Sequence, residues 1–284
     1  MSKIAIGVVV YKNSEGDLHK LFRSVLKQEN VDLKDIKFFM KINDGKDYSP
    51  IVDSFYSAEH LEHRFIEIVG DDSNCGFGAG HNAIIRECNE RRIPVYVGCN
   101  PDGLFHHDAI YNFLSAVKYH PSRTLFEFHQ FPEEHPKVYD CFTGETPWAS
   151  GACFGSETSS FIEIGGFDDN IRMYCEDVDL SWRFRIEGGR CVILSNALFY
   201  HDVSDKRDRE SVRVEMLKSG RYLAWKWKSD GFQRIMEDEL VRLGVADEIR
   251  TLPPLRGKKI PHTNERINEI VEFRRLFSFS PIRW

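Results

Sequence analysis

Apolar positions along this chain follow two alternating rhythms. Residues 4–11 form a nearly unbroken run of Ile, Val and Ala, the pattern of a strand buried on both faces of a parallel sheet. After Asp17, apolar side chains recur at Leu18, Leu21, Phe22, Val25 and Leu26, which predicts an amphipathic helix covering that strand. The strand rhythm returns at 36–42, 65–69, 95–99, 124–131, 137–142, 191–194 and 197–200. Helical spacing returns up to about Asn89, around Ile110, Phe113, Leu114 and Val117, and over 159–164. A further short helix is expected from Glu176, with Leu180, Trp182 and Phe184 inward. Strand and helix in alternation predict an α/β fold with a Rossmann-like, mixed but mostly parallel sheet flanked by helices.

The rhythm changes at residue 205. A long polar and basic helical stretch ends in Tyr222, Trp225 and Trp227. A second helix follows over 232–243, then a Pro-rich linker over 251–261 and a last helix over 265–277. The chain therefore divides into an α/β domain over 1–204 and a C-terminal helical extension and tail over 205–284.

Polar residues gather where the predicted strands stop: Asn43-Asp44-Gly45, Asp71-Asp72, Asn100-Pro101-Asp102-Gly103 and His201-Asp202. In open α/β sheets that edge is where ligands bind. The stretch Asn74-Cys75-Gly76-Phe77-Gly78-Ala79-Gly80-His81-Asn82 is either a backbone cradle for a phosphate or sugar or a tight turn. It is not a dinucleotide fingerprint, because His81 stands at the third glycine and the loop follows the third strand. Asp102 is either a hard oxygen ligand for Mg²⁺ or Mn²⁺ or part of a reverse turn. Glu176, Asp177 and Asp179 fall in the first turn of their helix, where its dipole favours ionised carboxylates. That placement suits either capping or a general base.

Composition narrows the class. Over 284 residues, 42% hydrophobic and 29% charged residues are globular values, and a net charge of -6 excludes wholesale nucleic-acid binding. Seven scattered cysteines without a C-x-x-C pair point to reduced thiols and no zinc site. No stretch approaches the ~20 apolar residues of a membrane span, so a soluble, cytoplasmic protein is expected.

Four blocks in order, VVVYKN, NCGFGAGHN, NPD, and GGFDDNIRMYCEDVDLSWRFRIEGG followed by FYHD, resemble the inverting nucleotide-sugar glycosyltransferases of family 2, most closely their rhamnosyltransferase-like branch. The resemblance implies the GT-A fold and transfer of a sugar from a nucleotide-diphosphate donor, dTDP-rhamnose or a UDP-hexose, to a hydroxyl of a glycan acceptor. It implies Asp177 as base, and Asp102 with His201 as ligands of Mn²⁺ or Mg²⁺. Tyr11, Asp44, Asn74, Gly80, Asn82 and Asn100 would bind the donor, and Trp148, Gly151 and Glu176 the acceptor. It also implies a context of bacterial surface polysaccharide (O-antigen or capsule) synthesis on a lipid-linked acceptor. The alternative is a non-catalytic sugar-nucleotide-binding or scaffold subunit. The basic and aromatic C-terminal region, including Arg274, Arg275, Phe277, Phe279, Arg283 and Trp284, is expected to dock on a membrane surface or a partner enzyme and to be dispensable for stability.

Overall fold

Seven consecutive residues, Ile4–Val10, are buried and form β1 near the middle of the sheet. The computed structural model describes residues 3–135, 137–201, 209–245, 265–271 and 273. After β1 the order is α1 (Glu15–Leu26), β2 (Ile36–Ile42), α2 (Ser49–Ala58), β3 (Ile66–Ile68), α3 (Phe77–Glu90), β4 (Val95–Cys99), β5 (Gly103–Phe105), α4 (Ala109–Tyr119) and β6 (Thr124–Phe131). Then come β7 (Cys153–Glu157), α5 (Thr158–Ile164), α6 (Glu176–Ile186), β8 (Arg190–His201), α7 (Arg209–Lys226), α8 (Asp230–Arg242) and a ninth helix, α9 (Glu265–Ile270).

The sheet runs β3-β2-β1-β4-β7-β6-β8-β5. The first four strands are parallel neighbours, β7 is antiparallel to both β4 and β6, and β8 is parallel to β6. These directions bring chemistry to one edge. Because β7 opposes β4, the start of β7 lies beside the end of β4, and the Asn100 N–H donates to the Ala152 carbonyl at 2.9 Å. Because β5 opposes β8 with Gly103 facing His201, Asp102 is carried to the end of β8.

Apolar side chains fill both faces. On one side Phe22, Phe55 and Phe113 from α1, α2 and α4 pack against Phe38, Phe128 and Phe199. On the other, Ile84, Phe161, Leu180 and Phe184 from α3, α5 and α6 cover Phe39, Tyr96 and Phe154. Each such fully buried side chain contributes about 1.5–3 kcal/mol. Helix α6 is covered on its outer side too, by a third cluster in which Trp182 meets Trp227 at 5.4 Å and Phe273 at 5.1 Å.

Four expectations change. Residues 137–142 are not a strand, because the Asp140 carboxylate accepts the Phe142 and Thr143 N–H groups and closes a turn within the run. The two strands read at 191–194 and 197–200 are one, β8, with a register irregularity opposite Phe128 and His129. β7 was not anticipated; its CFGSE sequence carries two small residues, and at the neighbouring Gly98 a Cβ would lie 2.4 Å from the Phe154 ring. The C-terminal aromatics are the fourth: Tyr222 and Trp227 are buried, Trp225 packs beside them, and Ile267, Ile270 and Phe273 are buried, so these side chains build core rather than an exposed surface. Residues 274–284 lie outside the described residues.

Shortening the chain to end near Leu252 should therefore lower its melting temperature by several degrees, since it uncovers Trp182 and the Phe232 ring 4.7 Å from Phe273. A melting curve superimposed on that of the full chain would show that α9 contributes nothing.

Candidate active site

The pocket at the strand-end edge is lined by Phe77, Asn100, Gln130, His135, Ser150, Gly151, Ala152, Met173, Tyr174, Glu176, Asp177 and His201. Of the residues singled out in the sequence, Asn100, Gly151, Glu176, Asp177 and His201 meet here, and Asp102 reaches to within 3.7 Å of His201.

Asp177 sits in the first turn of α6, 6% exposed. Its Oδ2 accepts the Gly151 N–H at 2.9 Å and its Oδ1 the Val178 N–H at 2.8 Å. Burial pushes its pKa up, against the pull of those two donors and of the Lys137 charge. Glu176 beside it is pushed well above the usual carboxylate range, by burial first and the Asp177 charge second. Its Oε2 is buried with no hydrogen-bond partner among the described residues. Burial thus biases Glu176 further towards its protonated form than Asp177, whose carboxylate keeps two N–H donors and the Lys137 charge in its favour. The chain reaches this turn through two non-glycine residues in the left-handed region, Tyr174 at φ 66 and Cys175 at φ 67. Such strain, of order 1–3 kcal/mol per residue, is found where the fold aims a side chain.

The Asp102 carboxylate and His201 Nε2 lie on the same edge, with the Asn100 amide 3.1 Å from that nitrogen. A hard oxygen and an imidazole nitrogen at this separation fit one Mn²⁺ or Mg²⁺, whose remaining positions would fall to diphosphate and water. Among the described residues the grouping of three potential ligands is elsewhere, at the exposed His106-His107-Asp108 turn after β5.

The other expected residues are placed as follows. Tyr11 is 46% exposed at the end of β1, and the adjacent Lys12 N–H donates to Asp44 Oδ2 at 2.8 Å. The Asp44 carboxylate also accepts from the Tyr48 hydroxyl, whose own pKa is pushed up to about 12 by burial and by that carboxylate. Asn74 Oδ1 accepts the Gly76 N–H at 3.3 Å, and Gly76 has φ 89 with the Arg172 carbonyl 2.4 Å from where a Cβ would stand. Gly80 packs on Val9, and the buried Asn82 exchanges hydrogen bonds with Phe167 and bonds Asp169. These last two shape the glycine-rich loop from behind. Trp148 is 1% exposed, held between the His135 ring at 4.6 Å and the Lys137 ammonium at 4.2 Å. Gln130, His135, Ser150, Met173 and Tyr174 were not anticipated. Gln130 follows the period-2 alternation at the end of TLFEFHQF, and Ser150 adjoins Gly151; the other three sit on irregular loops where no pattern marks them.

No family model matches the chain. Over 63 residues it is 36% identical to N-acetylglucosaminyl-diphospho-decaprenol L-rhamnosyltransferase of Mycobacterium tuberculosis, a stretch covering 22% of this chain and 20% of that protein. It is 24% identical to the rhamnosyltransferase WbbL of Escherichia coli K12, over 53% of this chain and 71% of the relative. The chain thus spans about a fifth of the mycobacterial relative's length. Among solved structures, the mannosyltransferase PcManGT of Pyrobaculum calidifontis in complex with GDP-Man and Mn²⁺ superposes with a TM-score of 0.61 at 16% identity, over 89% of this chain and 76% of the other. TarS of Staphylococcus aureus does so at 0.60 and 15%, over 86% and 43%. GalNAc-T7 with UDP, GalNAc and Mn²⁺ gives 0.58 and 12%, over 90% and 59%. The chain thus shares the GT-A fold of these solved structures, and in sequence it is similar to the two rhamnosyltransferases.

Proposed function

We propose that the protein is an inverting glycosyltransferase that moves a sugar, rhamnose from dTDP-rhamnose or a hexose from a UDP-hexose, onto a hydroxyl of a lipid-linked glycan in surface polysaccharide synthesis. The observation that carries this reading is the Asp177 carboxylate, fixed by two N–H donors, in one pocket with His201 at the end of β8. In this reading the acceptor hydroxyl gives its proton to Asp177 as its oxygen attacks the anomeric carbon. The bond from that carbon to the diphosphate breaks on the opposite face, its electron pair leaves with the diphosphate, and the anomeric configuration inverts. Asp102 and His201 would hold Mn²⁺ or Mg²⁺, which supplies charge neutralisation for the departing diphosphate. Glu176, whose burial favours the protonated form, would donate a hydrogen bond to the acceptor, while Gly151 leaves room for it at the wall. Tyr11, Asp44 and Asn74 line the donor side at the ends of β1, β2 and β3, and Asn100 steadies His201. The mycobacterial relative is by its name an L-rhamnosyltransferase of N-acetylglucosaminyl-diphospho-decaprenol, which supports a lipid-linked substrate here. No helix among the described residues is long and apolar enough to cross a membrane.

The test is a screen of dTDP-rhamnose, UDP-hexoses and GDP-mannose with Mn²⁺ and a synthetic N-acetylglucosaminyl-diphospho-polyprenol, followed by the anomeric configuration of the product. Nucleoside diphosphate release should stop with chelator and fall at least 10²-fold in Asp102→Ala and His201→Ala, as expected when charge on a leaving group goes uncompensated. Full transfer by chelator-treated protein would remove the metal role from both residues. Donor binding without turnover of any donor would instead support a sugar-nucleotide-binding subunit.

A further inference from the structure

Glu127 lies in the middle of β6 between Phe126 and Phe128, where alternation calls for a solvent-facing side chain, yet its carboxylate is only 2% exposed. Its Oε1 accepts from the Gln130 amide at 3.0 Å, and its Oε2 accepts the Ser150 N–H at 2.7 Å and pairs with Lys137 Nζ. Lys137 is equally buried, with its side chain 3% exposed; it also donates to the Trp148 carbonyl at 2.8 Å and stands over the Trp148 ring. A buried ion pair is weak evidence for stability, since well-packed apolar side chains of the same volume serve a core as well or better. This pair's partners lead elsewhere. Gln130 and Ser150 line the pocket, Lys137 anchors the loop that puts His135 into it, and Ser150 is followed by Gly151, whose N–H holds Asp177.

We infer that the Glu127–Lys137 ion pair is a positioning device for Asp177: it fixes the 148–151 strip that carries the Gly151 N–H and keeps one positive and one negative charge buried behind the carboxylate. Neither residue touches substrate. The inference rests on Asp177 acting as the base. The charged and titratable groups around Asp177 are Glu176 and Cys175 on its own turn, Lys137 and Glu127 from β6 and the loop after it, and His135 and His201 across the pocket. Of the pair, Lys137 favours the Asp177 carboxylate and Glu127 opposes it.

The two charges therefore predict opposite responses. In carboxyl-detected NMR titrations of the ¹³C-labelled full chain, with signals assigned through Asp177→Asn, Glu127→Gln should move the Asp177 titration to lower pH. Lys137→Met should move it to higher pH, each by roughly half a unit or more. The double variant Glu127→Gln/Lys137→Met leaves no unpaired buried charge and should fold with its titration near that of the wild type. It should also turn over roughly tenfold or more slowly, with donor KM unchanged, because the strip loses its charged anchor. A purely structural pair would lower the melting temperature without splitting the titrations. Shifts in one direction only, no shifts, or a double variant with wild-type turnover would overturn the inference. Should a single variant not fold, the double variant alone decides by its turnover. If Asp177→Asn transfers sugar normally, the reading of Asp177 as base fails and the inference with it. If Asp177→Asn is inactive while the titrations stay in place, only the inference fails.

Discussion

Asp177→Asn is expected to fold, to bind donor as the wild type does, and to lose transfer by about 10²–10⁴-fold, the contribution of a positioned proton acceptor. The asparagine has the same shape but offers one oxygen to two N–H donors, Gly151 and Val178, so one of those hydrogen bonds weakens. That loss of about 1 kcal/mol is offset, because a buried charge beside Glu176 disappears. The melting temperature should consequently change little while turnover collapses. The same removal relieves Glu176 of its like-charge neighbour, so its pKa should fall yet stay above the usual range through burial. Melting curves, donor titration and turnover on one preparation check all three parts. Transfer within about tenfold of wild type would show that another group takes the proton.

How far this site was readable beforehand depended on what each residue's neighbours looked like in sequence. β1, β2 and β4 were legible because strands buried on both faces must be apolar almost throughout, and a run such as IAIGVVV has no other reading. The acidic turn at Glu176 to Asp179 was legible because a helix start gives carboxylates a stated physical role. β7 was not, since Gly155 is a poor strand former kept small by the Phe113 ring, and Ser156 spends its hydroxyl on the Thr124 carbonyl. The approach of Asp102 to His201 depends on β5, three residues long, and its antiparallel register with β8. So short a strand leaves no periodicity to find. Glu127 was hidden for a different reason: a single charge in an alternating strand is ordinarily read as a solvent-facing position, and only the fold shows Lys137 arriving from a loop ten residues on to meet it. The basic and aromatic residues of α7 were misread in the same way. Sequence gives a cation's presence but not the anion it will face, and an aromatic stripe looks alike whether it meets lipid or Trp182.

Lys226→Met is expected to destabilise the fold by about 3–5 kcal/mol, the effect of breaking a buried charge cluster by removing one partner. Lys226 Nζ lies 2.7 Å from Asp168 Oδ2 and 2.6 Å from Asp179 Oδ1, with side-chain exposures of 8%, 13% and 0%. Asp179 is also bonded by the Trp227 indole at 3.0 Å and by Arg183 at 2.9 Å, and Asp168 by the Tyr222 hydroxyl at 3.1 Å. Through these contacts, and through Ser219 donating to the Met173 carbonyl at 2.6 Å, α7 grips both ends of the 168–179 stretch that delivers Met173, Tyr174 and Asp177 to the pocket. Methionine fills the space of the lysine stem but leaves two carboxylates facing each other. The pH dependence has a definite sign. Burial pushes the Asp168 carboxyl up, but the Lys226 charge and the surrounding hydrogen bonds outweigh it and hold the group below its usual value of 3.8. A depressed carboxylate contributes stability that is complete above that value and lost as pH falls through the folded-state value. The gap between wild type and Lys226→Met should accordingly be widest near neutral pH and narrow below about pH 4 as the Asp168 carboxyl takes up its proton. Adding Asp179→Asn to Lys226→Met should recover part of the loss, because the second change removes a charge that no longer has its partner. Urea denaturation of the two single variants and the double at pH 7 and about pH 3 tests the cluster. Simple additivity at pH 7, or a gap that does not depend on pH, would mean that the lysine and the two carboxylates act independently and that α7 holds the catalytic stretch by apolar contact alone.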